Sequence, residues 1–285
     1  MRWQMGRRSD NIEDRRGVGM GGVAIGGGLG TVVLVLVAMF LGVDPSVILQ
    51  GGNTSVSTAP PAGERRAASP DEEQLKDFVS VILADTEDTW KEIFRRMNRE
   101  YRDPTLVLFS GAVRSGCGAA QSAVGPFYCP MDQKVYLDLE FFRDLRDRFR
   151  APGQFAQAYV VAHEVGHHVQ NLLGISEKVR SMQSRGGERE GNALSVRLEL
   201  QADCLAGVWA NTANRSRQIL ERGDVEAGLN AAAAIGDDRL QRQSGGVVVP
   251  DAFTHGSSAQ RVRWFERGLE SGAVRQCDTF GAPDL

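Results

Sequence analysis

The apolar residues change their spacing along the chain, and each spacing predicts a different element. Residues 17–43 carry no charge and close on TVVLVLVAMFLGV. A bilayer core needs about 20 such residues as a helix, so this stretch is expected to span a membrane. Residues 44–69 are rich in Gly, Ser, Thr, Pro and Ala and hold few large apolar side chains, the composition of a flexible tether. At Ser69 the pattern turns helical: Ser as N-cap, Pro70 as first residue, acids at 71–73, then Leu75, Phe78, Val79 and Ile82 on one face. A folded domain is therefore expected over 70–285.

Within it, TLVLF (105–109) and KVYLDL (134–139) are rich in β-branched and aromatic residues and read as paired strands. Residues 154–173 contain no proline and stop at Gly174, which predicts a helix. A polar loop over 184–192 separates it from a second helix over 193–212. The expected fold class is α+β, mainly helical, with a small β-sheet packed by the first of these helices and preceded by one N-terminal transmembrane helix.

Charge sharpens the topology. Arg2, Arg7, Arg8, Arg15 and Arg16 precede the apolar stretch, while no basic residue follows it until Arg65. Lys and Arg concentrate on the cytoplasmic side of spans, so residues 1–16 are expected in the cytoplasm and the domain outside it, in a periplasm or at a cell surface. A cleaved signal peptide has a shorter apolar region, about 7–15 residues, and fits less well. Gly22, Gly26 and Gly30 at four-residue spacing would let a second such helix pack closely and the chain self-associate.

The composition, 42% hydrophobic and 24% charged, supports a real core, and a net charge of -3 gives no footprint for gripping nucleic acid. Four cysteines without a CxxC, in a domain placed outside the cytoplasm, favour disulfides. Cys117 and Cys129 bracket a natural stapled loop, leaving Cys204 with Cys277, although four cysteines allow three connectivities. A Cys204 that is simply buried in its helix is the competing reading.

Three of the four histidines, His163, His167 and His168, lie in the first long helix, in the stretch HEVGHH. Four-residue spacing puts His163 and His167 on one face, where both can reach one zinc ion, with Glu164 beside them to hold a water. A charged turn on a solvated helix is the alternative, but the flanking residues are apolar, and buried His and Glu need partners. A catalytic zinc takes three protein ligands and one open position. Positions 170 and 173 are Gln and Leu, so the third ligand is sought on the second helix. There Glu199 and Asp203 stand at i and i+4 in an apolar run, costly without a cation. Glu199 would complete a His₂Glu set, and Asp203 would accept the free ring N–H of a ligand histidine. A salt bridge to Arg197 is the competing account of that pair.

HEVGHHVQ, LELQADCLAGVW, the SGCG…GPFYCPMDQKVYLDL block, THGSSAQRVRWF and the N-terminal GRRSDNIEDRRG together resemble the bacterial neutral zinc metallopeptidases of the YpfJ-like group, and the HExxH…ExxxD arrangement is similar to gluzincins. The resemblance implies a zincin-like domain, one zinc ion per chain, and an endopeptidase anchored in a bacterial inner membrane, with its domain on the extracytoplasmic, periplasmic side, acting on polypeptides. Glu164 would be the general base. His255 is the candidate donor to the developing oxyanion, with Arg261 and Arg263 as weaker ones; a histidine merely satisfied in the fold is the competing reading. His168 turns roughly 100° from His167 and is read as packing, not as a ligand. An extended substrate would lie along Thr105–Phe109 or its continuation to Gly111. A non-catalytic envelope scaffold that keeps zinc, or a zinc amidase acting on cell-wall peptides, would use the same residues.

Overall fold

Residues 1–17, 68–243 and 248–285 are described in the computed structural model. Ser69 opens α1 (Pro70–Arg96) with a reciprocal capping box to Glu72 and acids in the first turn. The helix buries Phe78, Ile82, Trp90 and Phe94 against the remaining helices.

The sheet has the strand order β1 (Ile12–Asp14), β2 (Thr105–Phe109), β6 (Lys134–Asp138), β5 (Phe127–Cys129). Strands β1, β2 and β6 run parallel, and β5 is antiparallel to β6. The two expected strands do pair, Leu106 opposite Val135 and Leu108 opposite Leu137. Their parallel sense requires a crossover, and it holds the hairpin β3 (Ala112–Ser115) and β4 (Gly118–Gln121) together with β5. Cys117 at the hairpin tip is bonded to Cys129 of β5, with Cα atoms 5.8 Å apart.

The helices follow as α2 (Glu140–Asp147), α3 (Gln154–Leu172), α4 (Ile175–Gln183), α5 (Glu188–Arg217), α6 (Asp224–Ala234), α7 (Asp237–Gln243) and α8 (Ser258–Ser271). The loop expected over 184–192 is cut short: α5 begins at Glu188, where Glu188 and Glu190 complement the positive helix start. Crossings of α3, α5 and α8 form the centre. A methyl group on Gly268 would overlap the Cys204 carbonyl, and one on Gly207 the Phe265 carbonyl, so glycine on both helices permits the approach. The Cys204–Cys277 disulfide pins the end of this layer to α5.

The N-terminal expectation is overturned. No helix among the described residues is long and apolar enough to cross a membrane. The span over 17–43, with its glycines, and the tether over 44–69 lie, but for their end residues, outside the described residues. Met1–Arg16 belongs to one compact unit with Ala68–Leu285. Strand β1 exchanges backbone hydrogen bonds with β2, and Trp3 packs edge-on against Phe78 at 5.3 Å. Two segments in such contact cannot stand on opposite sides of a membrane, so a cytoplasmic N-terminus with an extracytoplasmic domain at the inner membrane is excluded. The arginines that look topogenic are partners within the fold. Arg7 binds Glu87 and Asp88 at 2.8 Å, Arg8 binds Asp77 at 2.7 Å, and Arg16 binds Asp14 and Glu73 at 2.7 and 2.8 Å.

Asp14 also meets Lys76 at 2.9 Å. The hydrogen bond from Arg16, helped by Lys76, holds its pKa below the usual carboxylate range against the effect of burial. A depressed folded-state pKa gives stability that is complete above the unfolded value, about 3.9, and is lost as pH falls toward the folded one. Asp14→Asn should therefore lower the urea midpoint at pH 7, and its gap from wild type should narrow steadily between pH 5 and pH 2. A gap independent of pH would contradict the pairing.

Candidate metal centre

Helix α3 carries His163 and His167 one turn apart, and Gly166 between them faces α5 so closely that a Cβ would lie 3.0 Å from the Ala202 carbonyl oxygen. This approach brings Glu199 and Asp203 of α5 to the two imidazoles. One ligand atom from each of His163, His167 and Glu199 lies within 4.8 Å of the others. His163 Nε2 stands 3.1 Å from Glu199 Oε2, and His167 Nε2 stands 3.4 Å from Glu199 Oε1.

The outer ring nitrogens are already engaged. His163 Nδ1 lies 2.8 Å from Asp203 Oδ1, and because a carboxylate only accepts, the imidazole donates there. His167 Nδ1 lies 2.8 Å from Gln170 Oε1. The orientation of that amide is fixed, since Gln170 Nε2 donates to the Leu198 carbonyl at 2.7 Å and to Gln201 Oε1 at 3.1 Å. Both Nε2 atoms are thus turned toward the two oxygens of Glu199. Two neutral imidazoles and a carboxylate in this arrangement fit a divalent cation with N and O ligands; without one, a proton on an imidazole bridges to the carboxylate.

The electrostatics say the same for the metal-free protein. Burial opposes charge on His163, but Asp203 and then Glu199 outweigh it and raise its pKa to about 10. Burial likewise opposes ionisation of Glu199, yet the two imidazoles hold its pKa well below the usual range. Glu164, only 8% exposed, has its pKa raised by burial.

Asp203 is fully buried and heavily bonded. Arg261 of α8 donates to both its oxygens at 2.9 Å, and Tyr159 donates at 2.5 Å. Arg261 is thereby an anchor for Asp203. Arg263 is exposed and lines a separate depression beside Arg189 and Phe253. Arg197, the competing partner of the acidic pair, donates to the carbonyls of Thr279 and Ala282 instead.

His255, in the loop before α8, lines the same cleft of about 610 Å³ as Glu164 and the histidines. Its Nδ1 lies 3.1 Å from Asp237 Oδ1, and Asp237 Oδ2 accepts the backbone N–H of Thr254, His255 and Gly256 at 2.6–3.0 Å. The hydrogen bond that His255 donates to Asp237 raises the His255 pKa despite partial burial. His168 points away, bonded to Tyr128 and to the Arg102 carbonyl, and burial pushes its pKa down to about 4. The expected peptide-pairing strand is corrected. Strand β2 lies between β1 and β6 and has no free edge, whereas among the described residues β5 pairs only with β6, and its Phe127 and Tyr128 line the cleft.

Sequence reasoning missed Gln170, Asp237 and Tyr128. Gln170 was within reach, standing three residues past His167 on the same helix face.

The chain matches the family described as "Putative neutral zinc metallopeptidase" over residues 1–280. It is 53% identical over 290 residues to the uncharacterized protein YpfJ of Escherichia coli K12, covering 99% of each chain. It is 43% identical over 260 residues to the uncharacterized protein Rv2575 of Mycobacterium tuberculosis H37Rv, covering 87% of this chain and 86% of that one. No solved structure matches it. The chain belongs to this zinc metallopeptidase family.

Replacing Gln170 by Leu removes the acceptor that fixes His167. Its zinc dissociation constant, measured by competition with a chromogenic chelator, should rise about tenfold or more, as should that of Asp203→Asn. Unchanged affinity in both variants would contradict the assignment of these groups as orienting partners.

Proposed function

We propose that this member of the zinc metallopeptidase family is an endopeptidase that holds one zinc ion on His163, His167 and Glu199 and cuts polypeptide backbones in the cleft above them. The observation that carries the reading is the convergence of both Nε2 atoms on the Glu199 carboxylate, with each Nδ1 committed to an acceptor. When bound, zinc supplies a Lewis acid that lowers the pKa of a water molecule and polarises a carbonyl oxygen.

Glu164 does the proton work. Its carboxylate takes a proton from the water that adds to the scissile carbonyl carbon and delivers it to the amide nitrogen as the C–N bond breaks. Burial raises its pKa, which makes the carboxylate a better base than an exposed one and the two transfers closer in energy. His255, held by Asp237 at the wall of the cleft, is placed to donate to the carbonyl oxygen as negative charge develops there. Asp203 and Gln170 keep the two imidazoles from rotating. The apolar wall of Phe127, Phe149 and Val179 excludes water around an extended chain.

The test uses the full chain with zinc content and casein hydrolysis measured on the same samples. Glu164→Gln should keep one zinc per chain and lose at least about a hundredfold in rate. His255→Ala should keep zinc and lose a similar factor in kcat, with KM little changed. Glu199→Ala should bind zinc weakly. A zinc-loaded wild type inert to casein would contradict the endopeptidase reading and shift weight to a scaffold or to an amidase of cell-wall peptides.

A further inference from the structure

His168 is fully buried, follows a metal-facing histidine directly, and plays no part in the hydrolysis above. Its hydrogen bonds join elements that are far apart in sequence. Nε2 lies 2.6 Å from the carbonyl oxygen of Arg102, in the lead into β2, and a carbonyl only accepts, so Nε2 carries the proton. Nδ1 is then an acceptor, and the Tyr128 hydroxyl at 3.0 Å donates to it. The same hydroxyl accepts from Asn171 Nδ2 at 3.1 Å, one turn further along α3. The rings of Tyr101 and Tyr128 both pack edge-on against the imidazole, at 5.6 and 5.4 Å. One neutral side chain on the metal helix is therefore saturated by the free-edge strand β5 on one side and by the approach to β2 on the other.

Tyr128 lines the cleft, and β5 is the sheet edge that borders it. Backbone position along that edge decides where a paired peptide would lie relative to His163, Glu164 and His167. We infer that His168 is a positioning residue which, through Tyr128, sets the edge strand β5 at a fixed place beside the metal helix and so aligns an extended substrate with the site. The substrate half of the inference rests on the proposed peptidase activity; the latch between β5 and α3 does not.

The two halves are tested on the same full-length variants. His168→Leu removes both hydrogen bonds, Tyr128→Phe removes only the hydroxyl, and His168→Gln offers a donor and an acceptor again. Amide exchange across Phe127–Cys129, followed by mass spectrometry, should accelerate about tenfold in the Leu and Phe variants and return toward wild type in the Gln variant. With zinc content unchanged, the apparent KM for fluorescein-labelled casein should rise about tenfold in the first two and recover in the third. Exchange at β5 within about twofold of wild type in both Leu and Phe variants would overturn the latch. A fall in kcat with KM unchanged, which a smaller folded fraction produces, or loss of zinc, would overturn the alignment role. A wild type inert to casein contradicts the peptidase reading, and the exchange measurement then decides the latch alone.

Discussion

A buried carboxylate at position 203 is the constraint around which the domain is arranged. Asp203 is 0% exposed, and a charge so placed is stable only when its oxygens are fully bonded. Arg261 reaches it from α8, and Tyr159 and His163 reach it from α3. Helix α5 must therefore pass close to both α8 and α3, and glycine stands at each approach, Gly207 and Gly268 where α5 meets α8 and Gly166 where α3 meets α5. Arg261 outweighs burial and keeps Asp203 ionised, so its negative charge both binds the arginine and fixes the tautomer of His163. Packing at the glycines and orientation at the histidine are thus consequences of one buried ion pair.

The convergence of His163, His167 and Glu199 was legible because its information is local. Helical spacing alone places His163 with His167, and two acids in an apolar run mark Glu199 and Asp203 as needing a cationic neighbour. Asp237 was illegible for the opposite reason: it orients His255 through a loop that folds back 18 residues later, and no spacing rule encodes that return. The strand order was hidden likewise. Strand β1 is the tripeptide Ile-Glu-Asp, with no β-branched run or alternation to mark it, yet its presence beside β2 turns an expected edge strand into an inner one and leaves β5 as the edge at the cleft.

The N-terminal segment shows how one pattern can carry two physical meanings. A cluster of arginines before an apolar stretch reads as a topology signal when seen alone. Seen with α1, the same arginines match acids at Asp77, Glu87 and Asp88, and Glu87 also accepts from Ser9 and Asn11. Those acids lie some 70 to 80 positions further along, beyond the reach of any local reading. The arginines of GRRSDNIEDRRG are accordingly partners within the fold.

The central claim, that the three converging side chains hold zinc, is tested most directly by X-ray absorption at the zinc edge on the full chain loaded with one equivalent of metal. The account predicts a first shell of nitrogen and oxygen only, at about 2.0–2.2 Å, with the multiple-scattering signature of two imidazoles. A shell containing sulfur at about 2.3 Å, or one imidazole or none, would contradict it.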